Sequence, residues 1–340
     1  MTAASPTLVT MIASGMRFAL AASILMAMQG CDKTSGDAAA ATVPRQPDDA
    51  RLVVAATSTD TTDLSRHPHI LYQVFGERDD PRLVPVAALM DGRIRPIVLS
   101  PAGWARFDSL YHQPGTSYTI YQDGRDAGWA RITRRMWGEG EDPLYTLPRC
   151  ESLTPLAAAQ VKAPPPVGYL VEHIATDAPV APPAQRGRRS GTTDANLAEA
   201  RRIATSVAET AGMDRNTIAA LDFRAVAVNT GATDDPTLVV SLIDPASGSS
   251  DSGPATHVFV LADRMDGDYA PSYTRVVRGN AARTEYRRYM DHLDLTGDGQ
   301  DELVVEGWSS GHESHILILQ FNQGRWTEVF QGRPSWCLDR

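Results

Sequence analysis

From residue 67 to residue 331 the chain alternates short runs of β-branched and aromatic residues with tight-turn dipeptides, a pattern that favours antiparallel hairpins over any other local structure. Residues 83–90 and 93–99 flank Asp91-Gly92, and residues 117–122 and 128–133 flank Asp123-Gly124. An Asp-Gly pair tolerates two successive positive φ angles, and the turn that needs them twists in the same sense as the strands it joins. Pro85 and Pro96 lack an N–H, so the first hairpin is expected to be made of edge or irregular strands. Further strands are expected at 70–75, 225–228, 238–243, 257–261, 273–277, 287–293, 303–308, 315–321 and 326–330. Hairpin turns are expected at 263–268 and at Asn322-Gln323-Gly324.

Helices are few. Ser100 and Pro101 suit a cap and a first turn, and residues 102–111 place Trp104, Phe107 and Leu110 near one face. Residues 155–161 read as a short helix. The clearest helix carries Leu197, Ala200, Ile203, Ala204, Val207 and Ala211 at helical spacing, with Asp194 or Asn196 as its cap and Gly212 as its stop. Residues 176–193 hold Pro179, Pro182, Pro183, Gly187 and Gly191 and read as a linker, in which the cluster from Arg186 to Arg189 is expected as a solvated charge run, with a docking or cleavage site as the alternative. The expected fold class is α+β, predominantly antiparallel β. A β-rich domain spans 67–175, and an α+β domain spans 194–340 and opens with the amphipathic helix.

Ahead of these lies a different kind of sequence. Arg17 is the single charged residue among the first 30, an apolar run covers residues 18–28, and Gln29-Gly30-Cys31 follows. A cation, a short apolar stretch and a small residue before the cut are the parts of a secretory signal. The stretch falls short of the roughly 20 apolar residues that span a bilayer. With Gly30 directly before Cys31, the segment resembles the lipobox of bacterial lipoproteins, although Met28 stands where that family prefers Leu. The resemblance implies a signal peptide at 1–30, cleavage before Cys31 and a diacylglyceryl group on the Cys31 thiol. The protein would then be anchored in the cell envelope facing the periplasm, with residues 31–66 as a polar tether. The alternatives are an uncleaved apolar anchor and a plain secretory signal with a chance cysteine. Met16 would start a more ordinary signal peptide than Met1 does.

The chain has 32 Lys+Arg and 41 Asp+Glu, a formal charge of −9. That balance argues against nucleic acid, which needs a basic face, and against a polybasic membrane surface. Of three cysteines, lipidation of Cys31 would leave Cys150 and Cys337. In an oxidising compartment an even pair is most simply a disulfide, which would join the chain's middle to its tail; two free thiols are the alternative.

The stretch from Asp294 to Glu302, Asp-Leu-Thr-Gly-Asp-Gly-Gln-Asp-Glu, carries the most chemical information. Asp294, Thr296, Asp298, Gln300 and Glu302 place oxygen donors at alternate positions around a glycine turn, the arrangement Ca²⁺ requires of a loop. Residues 286–331 resemble a single FG-GAP/VCBS-type repeat, in which such a loop binds calcium between two strands of a blade. Thr296 replaces the usual Asp or Asn, which implies one fewer charge and weaker affinity. An acidic turn that binds nothing is the alternative. His312 and His315 are three residues apart and do not have the helical spacing of a zinc protease motif; His67 and His69 read as loop residues. No nucleophile elbow, phosphate loop or dinucleotide fingerprint is present. The leading expectation is a non-catalytic envelope lipoprotein with a protein or glycan partner. A periplasmic hydrolase with a cleft between its two halves is the alternative, and a purely structural protein the third.

Overall fold

The computed structural model describes residues 62–136, 156–164, 170–180, 192–244, 253–281, 284–309, 313–332 and 336–337. The signal segment, most of the tether, Cys31, Cys150, the Arg186–Arg189 cluster and His312 lie outside the described residues. Residues 59–340 form a compact unit of their own. The fold is mostly antiparallel β, as its turn signals imply.

The first half closes on itself. Strands β1 (His69–Glu77), β2 (Asp80–Met90), β4 (Ser117–Gln122), β5 (Arg125–Arg135), β6 (Ala157–Lys162) and β7 (Leu170–Thr176) pair in the order β1-β7-β4-β5-β6-β2, and β2 pairs back to β1. The result is a six-stranded antiparallel barrel with no free edge in its wall. Strand β3 (Arg93–Pro96) hangs from β2 beyond that wall. Pro96 therefore sits on a true edge, but Pro85 does not. Val86 bulges from the β1–β2 ladder, between the pairs Tyr72↔Pro85 and Leu71↔Ala87. On its other side β2 pairs with β6 at Arg82 and Leu83 and with β3 only from Ala87 onward. A proline is tolerated within the wall because it sits at a bulge and in the gap between two partners.

The helix expected at 155–161 is absent, and residues 157–162 are strand β6. Its alanines favour a helix in isolation, but pairing with β5 from Ala157↔Arg135 to Lys162↔Trp129 closes the barrel, and Ala157 is fully buried there. Helix α1 (Pro101–Tyr111) follows its sequence signals closely, with the Ser100 hydroxyl accepting the Gly103 N–H. It seals one end of the barrel with Trp104, Phe107 and Tyr111, which pack with Leu64, Tyr72, Tyr118, Ile120 and Ile132. Leu110, expected on that face, is 38 % exposed, because the buried stripe runs through Tyr111 instead.

The second half is layered. Helix α2 (Asp194–Thr210) is capped by Thr193, whose hydroxyl accepts the Asn196 N–H; Asp194, expected as the cap, lies in the first turn. A short helix α3 (Arg215–Ala220), absent from the sequence reading, is capped by Asp214. Both precede a four-stranded sheet of β8 (Asp222–Val228), β9 (Thr237–Ile243), β10 (Pro254–Met265) and β11 (Asp268–Asn280). Ala200, Ile203, Ala204 and Ala208 of α2 pack on one face of it. Its other face meets a second meander, β12 (Glu285–Leu293), β13 (Glu302–Ser309), β14 (Glu313–Asn322) and β15 (Arg325–Gln331), through Phe259 and Leu261 against Leu303, Val305, Leu317 and Trp326. Strand β16 (Trp336–Cys337) pairs with β14.

The far face of this meander packs on the barrel. Leu71, Ala87, Leu89, Tyr121 and Ile174 from the barrel's outer surface form one core with Leu293, Val304, Ile316, Ile318 and Phe330. The layers thus run helix, sheet, sheet, barrel. Among the described residues no helix is long and apolar enough to cross a membrane.

Candidate functional site

The loop from Asp294 to Glu302 links β12 to β13 at the join between barrel and sheets. Alternation along the flanking strands sends Leu293 and Leu303 into separate apolar cores. Of the acidic residues between them, Asp294, Asp301 and Glu302 are buried at the rim of the join, while Asp298 is exposed. Asp294 is 4 % exposed and Glu302 1 %.

Buried carboxylates need donors, and the loop supplies them from its own backbone. Asp294 Oδ1 accepts the Gly297 N–H at 2.6 Å and Oδ2 the Gly299 N–H at 3.1 Å. Glu302 Oε2 accepts the Leu295 N–H at 2.8 Å, and its Oε1 accepts the Thr296 hydroxyl at 2.8 Å and the Gln320 amide at 3.2 Å. Asp298 turns outward to the Gln300 N–H at 2.9 Å. Gly297 and Gly299 hold φ of 76° and 90°, which brings their N–H groups round to Asp294. Burial pushes the Glu302 carboxyl up to about 7, against the lowering effect of the Thr296 hydroxyl and the Leu295 N–H.

Of the five residues expected to hold calcium, Asp294, Thr296 and Glu302 are drawn together, whereas Asp298 and Gln300 face outward. Among the described residues no three His, Cys, Asp or Glu side chains are placed to hold a metal ion. The oxygens a cation would use accept N–H and O–H donors in this arrangement, and Asp298 and Gln300 stand apart from the other three.

Three buried neighbours escaped the sequence reading. Asp291 is 2 % exposed, His292 8 % and Asp301 2 %. His292 Nδ1 lies 2.7 Å from Asp301 Oδ2. Asp291 Oδ1 accepts the His292 N–H at 2.8 Å and, from the barrel, the Gly124 N–H at 2.9 Å. Burial raises Asp291 to about 6 in spite of those two donors. The signal was present, since Asp291 and His292 interrupt an apolar strand run, but only the barrel's position shows what they meet.

The loop is clamped on several sides. Both Asp-Gly turns of the barrel have positive φ at each residue, 53° and 67° at Asp91 and Gly92, 52° and 69° at Asp123 and Gly124. Both glycines sit on the join. A Cβ on Gly92 would lie 3.0 Å from the Thr296 carbonyl oxygen, and one on Gly124 would lie 2.6 Å from His292 Cε1. From the other sheet, Asp301 N–H donates to the Thr230 carbonyl at 2.7 Å. The geometry supports a mechanical joint between the two halves.

Of the other residues singled out, His315 is buried and lies 3.7 Å from Glu285 and 3.3 Å from Gln331. His69 is exposed and 3.5 Å from Asp177. Cys337 is in β16, whose backbone pairs Cys337 with Glu313. Compared with known proteins, the chain matches no family model, no curated protein and no solved structure.

Proposed function

We propose that the chain is an exported, lipid-anchored envelope protein that binds or scaffolds rather than catalyses. Anchoring rests on the sequence from Arg17 to Cys31. The observation that carries the non-catalytic reading is the apolar layer between barrel and sheets, with Leu71, Leu89 and Ile174 against Leu293, Ile316 and Ile318. The hydrolase alternative needs a cleft there, lined by convergent polar groups. Side chains fill that space instead, and the Arg288 guanidinium ties Glu306 of the sheet to Glu172 of the barrel. A protein or glycan partner would then meet the outer surfaces.

Two finer readings go with it. Calcium is proposed as a structural ion for Asp294, Thr296, Asp298, Gln300 and Glu302, where it would take over from the backbone donors and let Glu302 ionise. A disulfide between Cys150 and Cys337 is proposed on the cysteine count. Globomycin treatment tests the anchor: it should accumulate the uncleaved precursor, and Cys31→Ser should abolish palmitate labelling. Unchanged processing and labelling would contradict the proposal.

A further inference from the structure

The C-terminal turn of α1 carries a buried histidine that is bonded through one ring nitrogen only. His112 and Asp108 are both fully buried, one helical turn apart. His112 Nδ1 lies 3.0 Å from Asp108 Oδ1, and Arg135 Nε donates to Asp108 Oδ2 at 2.6 Å. A carboxylate accepts, so the neutral ring carries its proton on Nδ1 and Nε2 is a bare acceptor. Nε2 has no hydrogen-bond partner, and solvent does not reach it. The ring packs edge-on against Phe107 of the same helix at 5.4 Å between centroids, and against Tyr72 of β1 at 5.9 Å.

A second proton on this ring has no place in that packing. On Nε2 it would make a cation whose new N–H meets no acceptor. Among the described residues the carboxylate beside the ring is Asp108, and its charge is already matched by Arg135 of β5. From β1 the ring faces the Tyr72 phenol, whose hydroxyl lies 3.4 Å from that of Tyr118 on β4; burial keeps both phenols neutral. Asp177, after β7, accepts the Ile70 N–H and lies 3.5 Å from His69. The position of His112 at the helix C-terminus favours a cation, but burial outweighs it. Burial holds the imidazole below its usual value, against the raising effect of the Asp108 bond.

Water can reach Nε2 only if the end of α1 moves off the barrel. That end is tied by side chains rather than by a backbone ladder. The Tyr111 hydroxyl donates to the Pro68 carbonyl at 2.9 Å, and the Tyr118 hydroxyl donates to the Tyr111 carbonyl at 2.6 Å. Trp104, Phe107 and Tyr111 add apolar packing. The barrel wall is a closed ladder of paired strands, so the helix is the element that opens at lower cost.

We propose that α1 is an acid-released latch on the barrel: neutral His112 keeps it closed, and protonation of Nε2 lifts its C-terminal turn and opens the apolar interior that Trp104, Phe107 and Tyr111 cover. The opened helix takes up a proton that the closed one refuses. The latch is therefore tight above about 6.5, the usual histidine value, and loosens as pH falls below it. It does not depend on where the chain is anchored.

The experiment is hydrogen exchange read by mass spectrometry on the full chain at pH 7.5 and pH 5.0, corrected for the intrinsic pH dependence of exchange. Peptides covering α1 and His112 should lose protection by about threefold to thirtyfold at pH 5.0, the ceiling being the excess of protonated over neutral ring for an exposed imidazole of pKa about 6.5. Peptides covering β4 and β5 should keep theirs. His112→Asn, whose amide can still donate to Asp108 but does not titrate, should show equal protection of α1 at both pH values, and so should His112→Phe. His69→Asn, a change at an exposed histidine, should leave the response of the unaltered chain intact. The dye 8-anilinonaphthalene-1-sulfonate should brighten at pH 5.0 with the unaltered chain and not with His112→Asn. Melting curves at pH 7.5 establish that each variant folds, and the unaltered chain's own profile decides if neither His112 variant does. Equal protection of α1 at the two pH values overturns the proposal. So does a loss shared equally by β4 and β5, which would be general acid unfolding. A response that survives His112→Asn, or one that disappears with His69→Asn, overturns it as well.

Discussion

The Gly124 N–H donates to the Asp291 carboxylate at 2.9 Å, so a hairpin turn of the barrel is held by a buried acid of the second half. The same glycine lies against the His292 ring, with room for hydrogen only. Gly124→Ala adds a Cβ 2.6 Å from His292 Cε1 and keeps a φ of 69° that disfavours alanine. It should destabilise the protein by about 2–4 kcal/mol, read from urea unfolding. Gly115→Ala, with a φ of 92° but open space around the added carbon, should cost only the backbone strain, roughly 1 kcal/mol. Equal losses at the two glycines would mean that the barrel turn is not seated on His292.

Glu302 sets a pH dependence of defined sign. Its folded pKa of about 7 lies above the usual 4.5, so the folded state binds the extra proton. Its contribution is fully present below about 4.5 and is lost as pH rises through 7. Glu302→Gln removes that loss, and relative to wild type it should gain on the order of 2–3 kcal/mol between pH 4.5 and pH 8. A variant whose deficit or gain is the same at both pH values would contradict the burial of an ionisable group there.

Calcium acts on the same proton. At pH 8 the ionised Glu302 is poorly solvated, and millimolar Ca²⁺ should raise the melting temperature by several degrees. Asp294→Asn should abolish the rise, and at pH 5 it should shrink because the ion must compete with protons. Superimposable melting curves with calcium and with chelator would leave the loop as a self-satisfied turn.

His257 carries the opposite sign. Its Nε2 accepts the Arg287 N–H at 2.9 Å, so the proton is on Nδ1, which donates to the Leu242 carbonyl at 3.1 Å. The neutral ring bridges the two sheets, and burial lowers its pKa to about 4. Stability tied to it is present above about 6.5 and is lost as pH falls toward 4, by about 3 kcal/mol at most. His257→Phe should remove that acid-side slope while costing about 2–4 kcal/mol at neutral pH, since two buried backbone groups lose their partner. An unchanged slope below pH 6.5 would assign it to other groups.

Local structure was legible in the sequence wherever the signal was local. Ser100 before Pro101 marks the start of α1 within about a residue, and the Asp-Gly pairs fall at the turns themselves, although β2, β3 and β5 differ by two or three residues from their expected outer bounds. Barrel closure was not legible, because it depends on pairs such as Leu71↔Thr176 that join residues far apart. The alanines of β6 pointed the wrong way for the same reason, since their pairing partners overrode their propensity. At the candidate site the loop residues could be named, but not the barrel turn and the Asp291–His292 pair that enclose them.

The central claim, an envelope protein held by lipid on Cys31, is tested most directly by mass spectrometry of the N-terminal peptide from protein purified out of membranes. The account predicts a peptide that begins at Cys31 and carries a diacylglyceryl group. A peptide that begins elsewhere, or one with an unmodified Cys31 thiol, would contradict it.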